Sequence, residues 1–422
     1  MKNVIHFTIL FILASVSSAF AQSNDVQSNE TPRPEYPQFK SSVKGFMTLK
    51  QFQTFEDVVT TTPYWKRQAD LNELSLTGEY YITPKSEIEF EIEFEHGGTG
   101  SALEYDPMEE FGEFEKELEK GGEVVLSEFY YRRAFENMMW IKVGKIPVYI
   151  SLGNVQENLL QYSTIYSVSS EASLIAHEWR EMGIELQKRF GGFNARTSLL
   201  TGLNSEFFRK YNWVGGGYQR QFENINANSL AGTLTFEYGD VSLDDGIATT
   251  IYYNEVSGNR YKQRKMSSDA SITLFSIFGS WHFERFGVRG EFIQGTLTRS
   301  DQISLANASL TSSVNPGAFA PLGHTAQLEM GEIFYYMIDD DEARLTAFFN
   351  YQHVDSMKTV EGSILKDDRY NRVISTFGLM KTWEKIMFVK AEYAKSSNAL
   401  VGFPETSEFQ LAFGFDWRGF YL

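Results

Sequence analysis

No cysteine occurs among the 422 residues, which excludes a disulfide-stapled scaffold and a thiolate-ligated metal centre. Proline is scarce, at 10, and Pro32, Pro34 and Pro37 fall together in one polar stretch. Positive charge is in deficit: 38 Lys and Arg stand against 55 Asp and Glu, a formal net charge of −17. Phosphate-backbone binding needs a basic face, so nucleic acid is excluded as a partner. Long apolar runs are also missing, since beyond the N-terminus nothing approaches the roughly 20 apolar residues of a spanning helix. What the chain has instead is aromatic side chains: 35 Phe, 22 Tyr and 7 Trp, 15% of all residues. Aromatics at that density bury or insert somewhere, which rules out a disordered chain.

The N-terminus carries an export pattern. Lys2, the apolar run Val4 to Leu13 and Ala19-Phe20-Ala21 form the three regions of a signal peptide. The pattern predicts a signal peptide over 1–21, a polar periplasmic linker over 22–41, and the folded unit over 42–422.

From there on the hydropathy alternates. Glu87-Ile88-Glu89-Phe90-Glu91-Ile92-Glu93-Phe94-Glu95 is strictly period two. As a strand it puts Ile88, Phe90, Ile92 and Phe94 on one face and the five glutamates on the other, whereas a helix would spread them around its axis. The last such run sets Phe409, Leu411, Phe413, Phe415 and Trp417 against Gln410, Ala412, Gly414 and Asp416. Sixteen runs of this kind are countable, the phase being ambiguous in 42–55 and 324–338.

Their connections alternate short and long. Short turns fall near 83–86, 136–137, 191–192, 239–244, 283, 339–341 and 383–385. Long ones fall at 56–69, 96–122, 146–179, 203–227, 254–268, 298–323, 354–370 and 397–406. This predicts an all-β chain: a transmembrane antiparallel β-barrel of sixteen strands, with short periplasmic turns and long extracellular loops. In a medium without water a sheet must close on itself. Apolar side chains then meet lipid, polar ones meet a lumen, and sixteen strands leave room for an aqueous channel. The seven tryptophans all avoid strand centres: Trp140, Trp281, Trp383 and Trp417 map to the short-turn rim, and Trp65, Trp179 and Trp213 to the long-loop side. That distribution predicts aromatic girdles at both interfaces.

Catalytic and metal motifs are absent from the sequence. His177-Glu178-Trp179-Arg180-Glu181 begins like a zincin H-E-x-x-H, but Glu181 stands where the second His belongs. No G-x-S-x-G or G-x-G-x-x-G is completed. No cofactor, no metal and no enzymatic activity are expected. A lipid-acting barrel enzyme built from distant strands and a non-conducting surface or adhesin barrel stay open as alternatives. The acidic stretch from Glu104 to Glu123 reads as a solvated loop, since no calcium-loop spacing is present. Segment 146–179 is too apolar for a loop in water, with Val148, Tyr149, Ile150, Leu152, Leu159, Leu160, Tyr162, Ile165 and Tyr166. It is expected to fold into the barrel and narrow it, or else to pack on a neighbouring subunit.

Candidate pore-lining residues follow from strand phase. Lys142, Arg189 and Arg196 are expected to face the lumen around the points where segment 146–179 leaves and re-enters the wall, with Glu185 on the same face. Glu87, Glu89, Glu91, Glu93 and Glu95 would form a ladder with rungs about 7 Å apart. The ladder attracts cations, whereas the basic patch, if it sits at the narrowest point, focuses the field for anions.

Two segments carry a resemblance. Ile141-Lys142-Val143-Gly144-Lys145-Ile146-Pro147-Val148, and Arg180 to Gly191 with its R-x-x-G-h opening, resemble the phosphate-selective porin O/P family over about 123–203. The resemblance implies a sixteen-stranded, usually trimeric outer-membrane channel of a Gram-negative-type bacterium, with a loop folded into the pore. It also implies passive passage of small hydrophilic solutes, anions such as phosphate among them, through a pore lined by arginine and lysine. On that basis the basic patch is expected to set a mild anion preference.

Overall fold

The computed structural model describes residues 36–55, 62–97, 104–105, 114–115, 124–219, 225–243, 245–260, 265–308, 321–340 and 342–421. The expected signal peptide, most of the linker and most of the acidic stretch 104–123 lie outside them; Gln38 to Ser41, expected in the linker, are instead strand, paired with Tyr81 to Gly78. Sixteen strands form the fold: β1 Gln38–Thr54, β2 Tyr64–Thr83, β3 Ser86–Glu95, β4 Val124–Phe135, β5 Met139–Pro147, β6 Arg180–Phe190, β7 Phe193–Leu200 and β8 Ala231–Gly239. They continue as β9 Gly246–Glu255, β10 Ser271–Phe283, β11 Phe286–Leu297, β12 Thr325–Asp339, β13 Ala343–Thr359, β14 Asn371–Trp383, β15 Met387–Asn398 and β16 Thr406–Tyr421. Each pairs antiparallel with the next, and β16 pairs back onto β1 from Lys40↔Tyr421 to Phe52↔Glu408. The barrel is closed, so none of its sixteen strands keeps a row of unpaired backbone groups.

The sixteen alternating segments of the sequence are these sixteen strands. In β16, Phe409, Leu411, Phe413 and Trp417 are exposed on the outside while Gln410, Ala412, Gly414 and Asp416 are buried inside. Turn chemistry fits the connections. Asn137 and Met138 have φ of 63° and 54°, and Glu384 and Lys385 have 57° and 54°, the paired left-handed residues that match the strand twist in tight hairpins. Two strands overrun the loops expected for them. β2 begins at Tyr64, because the polar run Lys66-Arg67-Gln68 still pairs with Phe52, Gln51 and Lys50 of β1, and β13 runs to Thr359, which pairs with Thr325 of β12. Backbone pairing there continues where hydropathy no longer alternates.

The interior departs from the expected polar lumen. Inward positions of β9 to β13 carry Ala248, Tyr252, Ile272, Leu274, Phe278, Ile293, Leu328 and Val354, buried together with Val148, Ile150, Leu152, Ile175 and Trp179 of segment 148–179. A side chain such as Ile150 or Leu152, fully buried here, contributes roughly 1.5–3 kcal/mol. Half of the barrel therefore holds a packed core.

Two tryptophans leave the expected girdle. Trp65, Trp281 and Trp417 are exposed, but Trp179 and Trp213 are fully buried. The Trp213 indole N–H donates to Gly323 O at 2.9 Å, and its ring lies where a Cβ on Gly295 would sit. That of Trp179 donates to Glu181 at 2.8 Å. Both indoles find internal acceptors, so they belong to the core.

Phe377, 56% exposed in the middle of β14, lies on the outer apolar face of the barrel. Phe377→Arg should destabilise the barrel in lipid vesicles by roughly 2–4 kcal/mol, while Phe377→Leu should stay near wild type. The midpoints of urea unfolding check it.

Candidate pore constriction

The chain leaves the wall at Pro147 and returns at Arg180, and Val148 N–H donates to Trp179 O at 2.8 Å across the base of the excursion. Between them the backbone has few partners of its own, so its polar groups must be met by the wall. Leu152 N–H donates to Glu291 of β11 at 2.6 Å, and Ser170 N–H to Gln352 of β13 at 2.9 Å. Ile165 N–H donates to Glu392 of β15 at 2.9 Å, and Leu159 N–H to Asp416 of β16 at 3.0 Å. Lys390 of β15 donates to Thr164 O at 2.8 Å. Arg289 of β11, ion-paired with Glu332 at 3.4 Å, donates to Gln156 and Ser167, both at 2.8 Å. The segment thus crosses the enclosed space from β5 to β16.

Local sequence shapes the segment for this path. Ser151 caps the short helix Leu152–Val155 through Asn154 N–H, as Ser does at helix starts. Gly153 N–H donates to Glu171 at 2.8 Å, and a Cβ on Gly153 would collide with that carboxylate. On the far side, Leu159, Tyr162 and Ile165 pack against Phe46, Met380 and Phe388.

A cavity of about 350 Å³ remains between the segment and the wall of β1 to β3. Asp70, Glu73, Glu93, Glu95, Glu157 and Glu178 line it, facing Lys44, Lys50 and Arg180. Lys44 pairs with Glu73 at 3.1 Å and Glu91 at 3.4 Å. Arg180, 2% exposed, pairs with Glu128 and, at 3.0 Å, with Glu157. Burial would raise the Glu157 carboxyl, but Arg180 and Lys44 outweigh it and hold it below the ordinary range. Glu178 has φ of 49°; burial pushes its carboxyl up, yet Lys44, His177 and Arg180 together bring it down to about 2. Both stay ionised at neutral pH.

The candidate residues from the sequence separate into three places. Glu93 and Glu95 line the cavity. Glu87 pairs with Arg132, Glu89 accepts from the Tyr130 hydroxyl, and Glu91 joins Lys44 and Ser127. Lys142 stands 4.5 Å from the Tyr130 ring centre. Arg196 lies 3.2 Å from Glu237 and 3.9 Å from Glu185, its guanidinium 4.1 Å over Tyr149. Arg189 does not flank the re-entry point: it sits nine residues along β6 from Arg180, roughly 30 Å at strand rise, beside the Gly191-Gly192 turn. Lys44, Glu73, Glu157, Arg289, Glu392 and Asp416 were not among the candidates. Strand parity turns the last three inward, but nothing local marks them as partners of a distant loop.

Solved structures of the same build are known. The fold is that of outer-membrane porins. The anion-selective porin from Comamonas acidovorans is 10% identical with a TM-score of 0.50, covering 90% of this chain and 100% of that one. OprB of Pseudomonas putida is 8% identical with a TM-score of 0.51, covering 90% and 94%. OmpF of Salmonella typhi, in complex with daunomycin, is 11% identical with a TM-score of 0.51, covering 89% and 97%. At these identities the likeness carries the porin fold alone. No family model matches the chain, and neither does any curated protein.

Because Arg289 holds both Gln156 and Ser167, Arg289→Met should release that stretch and leave the buried Glu332 with only the Asn350 amide, at 2.9 Å, in place of a cation, at a cost of about 3–5 kcal/mol. Hydrogen exchange should quicken over 156–167 and stay unchanged in β2 and β3.

Proposed function

We propose that the protein is a passive channel for small hydrophilic solutes in the outer membrane of a Gram-negative-type bacterium, narrowed by segment 148–179. One observation carries the reading: a segment bound to strands on opposite sides of a closed barrel still leaves a polar cavity beside β1 to β3. A non-conducting barrel has no need of such a space, and a lipid-acting enzyme would keep its reactive groups at the outer surface.

Geometry weighs against the anion preference expected from Lys142, Arg189 and Arg196. Arg196 has two carboxylates within 4 Å, Lys142 is close to Tyr130 rather than to the cavity, and Arg189 is remote. The cavity itself has six carboxylates against three cationic side chains, two of which are in ion pairs. Charge at the narrowest point dominates selectivity, so the channel prefers cations. The homotrimer implied by the porin O/P resemblance belongs to the same proposal.

Planar-bilayer recording tests it. Purified protein should conduct, its reversal potential in a KCl gradient should have the sign of cation preference, and deletion of Leu159 to Val168 should raise the single-channel conductance. No conductance together with lipid hydrolysis would establish the enzyme instead. Anion preference abolished by Lys142→Gln would restore the basic patch as the filter.

A further inference from the structure

Three carboxylates converge on the cavity from three different parts of the chain. Glu73 comes from β2, Glu93 from β3 and Glu178 from the end of the inserted segment, and one oxygen of each lies within 4.8 Å of the other two. Oxygens so spaced reach a common hard cation at about 2.3–2.6 Å with only small side-chain movement. A second observation is independent of the clustering. Glu93 is 4% exposed, and its Oε2 is buried without a hydrogen-bond partner. A buried carboxylate oxygen in that condition lacks what water would have supplied.

We propose that Glu73, Glu93 and Glu178 form a binding site for a divalent cation of the hard, oxygen-preferring kind, such as Ca²⁺. Each neighbouring charge bears on this. Lys44 is the competing cation: it reaches Glu73 at 3.1 Å, but it is shared with Glu91 at 3.4 Å. Arg180 pairs with Glu128 through Nε and with Glu157 through Nη2, its Nη1 having no partner of its own. His177, beside Glu178, is exposed. One lysine, Lys44, therefore faces four glutamates; Glu93 already bonds Glu178 carboxyl to carboxyl, and a divalent ion supplies the charge and the partner that Glu93 Oε2 lacks. Such an ion would tie β2 and β3 to the inserted segment on the one side of the cavity where the hydrogen bonds to β11, β13, β15 and β16 do not reach. The site stands on these contacts whether or not the barrel conducts.

The experiment uses the purified full chain in detergent micelles with Tb³⁺ as the probe, its luminescence sensitised by Tyr162 and Tyr166, which line the same cavity. One saturable site per chain is expected, with Ca²⁺ displacing the probe. Glu93→Gln should weaken binding roughly tenfold or more, and Glu79→Gln, whose carboxylate pairs with Lys40, should not change it. Lys44→Gln should tighten binding by removing the competing ammonium. Absence of saturable binding, or equal binding by Glu93→Gln and wild type, overturns the proposal. Should Glu93→Gln fail to fold, Lys44→Gln decides: tighter binding supports the site, and unchanged or weaker binding overturns it.

Discussion

A loop can be buried inside a barrel only if its backbone amides find acceptors there, because each one left unmet costs as much as a lost hydrogen bond. Here the acceptors are wall side chains: Glu291, Gln352, Glu392 and Asp416 each take a backbone N–H of the inserted segment. The rest of the interior depends on that arrangement. With the segment held, Ile150, Leu152, Leu174 and Ile175 are buried against β9 to β13, and the space left over lies on the opposite wall. The cavity is thus left between the segment and β1 to β3, where Phe46 packs on the segment and Asn72 donates to the Tyr166 hydroxyl at 2.7 Å.

Much of the wall was legible in the sequence. Alternation is imposed by the strand itself, one side chain per face, so Phe409 to Trp417 and Glu87 to Glu95 reveal both strand and phase without tertiary information. The inner core was not legible, and β10 shows why. Its inward Ile272, Leu274 and Phe278 have the same character as its outward Phe275 and Ile277. A strand that is apolar on both faces does not say which of them meets a buried segment. Trp179 and Trp213 fail for a related reason: position near a strand end suggests an interface, while the Trp213 acceptor, Gly323 O, lies 110 residues away, and the ring of Trp179, whose acceptor Glu181 is local, is covered by the distant Tyr252.

The candidate site was legible only in part. Phase turned the glutamate ladder inward as a set, but the inserted segment divides it, leaving Glu93 and Glu95 at the cavity and Glu87, Glu89 and Glu91 in pairs with Arg132, Tyr130 and Lys44. Arg196 shows the converse. A lumen-facing arginine looks like a selectivity element until Glu237 and Glu185, on neighbouring strands, are found beside it. Net charge of a pore face is therefore a property of pairs and not of residues.

The contacts that hold the segment also order its assembly. Leu159 and Asp416 are 257 residues apart in the chain, and Ile165 and Glu392 are 227 apart. Contacts of such separation form late, since the intervening chain must first be organised. Segment 148–179 precedes β11, β13, β15 and β16 in the chain, and until those strands are paired its amides have no acceptors. Only when β16 has met β1 are all four acceptors in position. Docking of Leu159 on Asp416 thus reports that the final strand is in place.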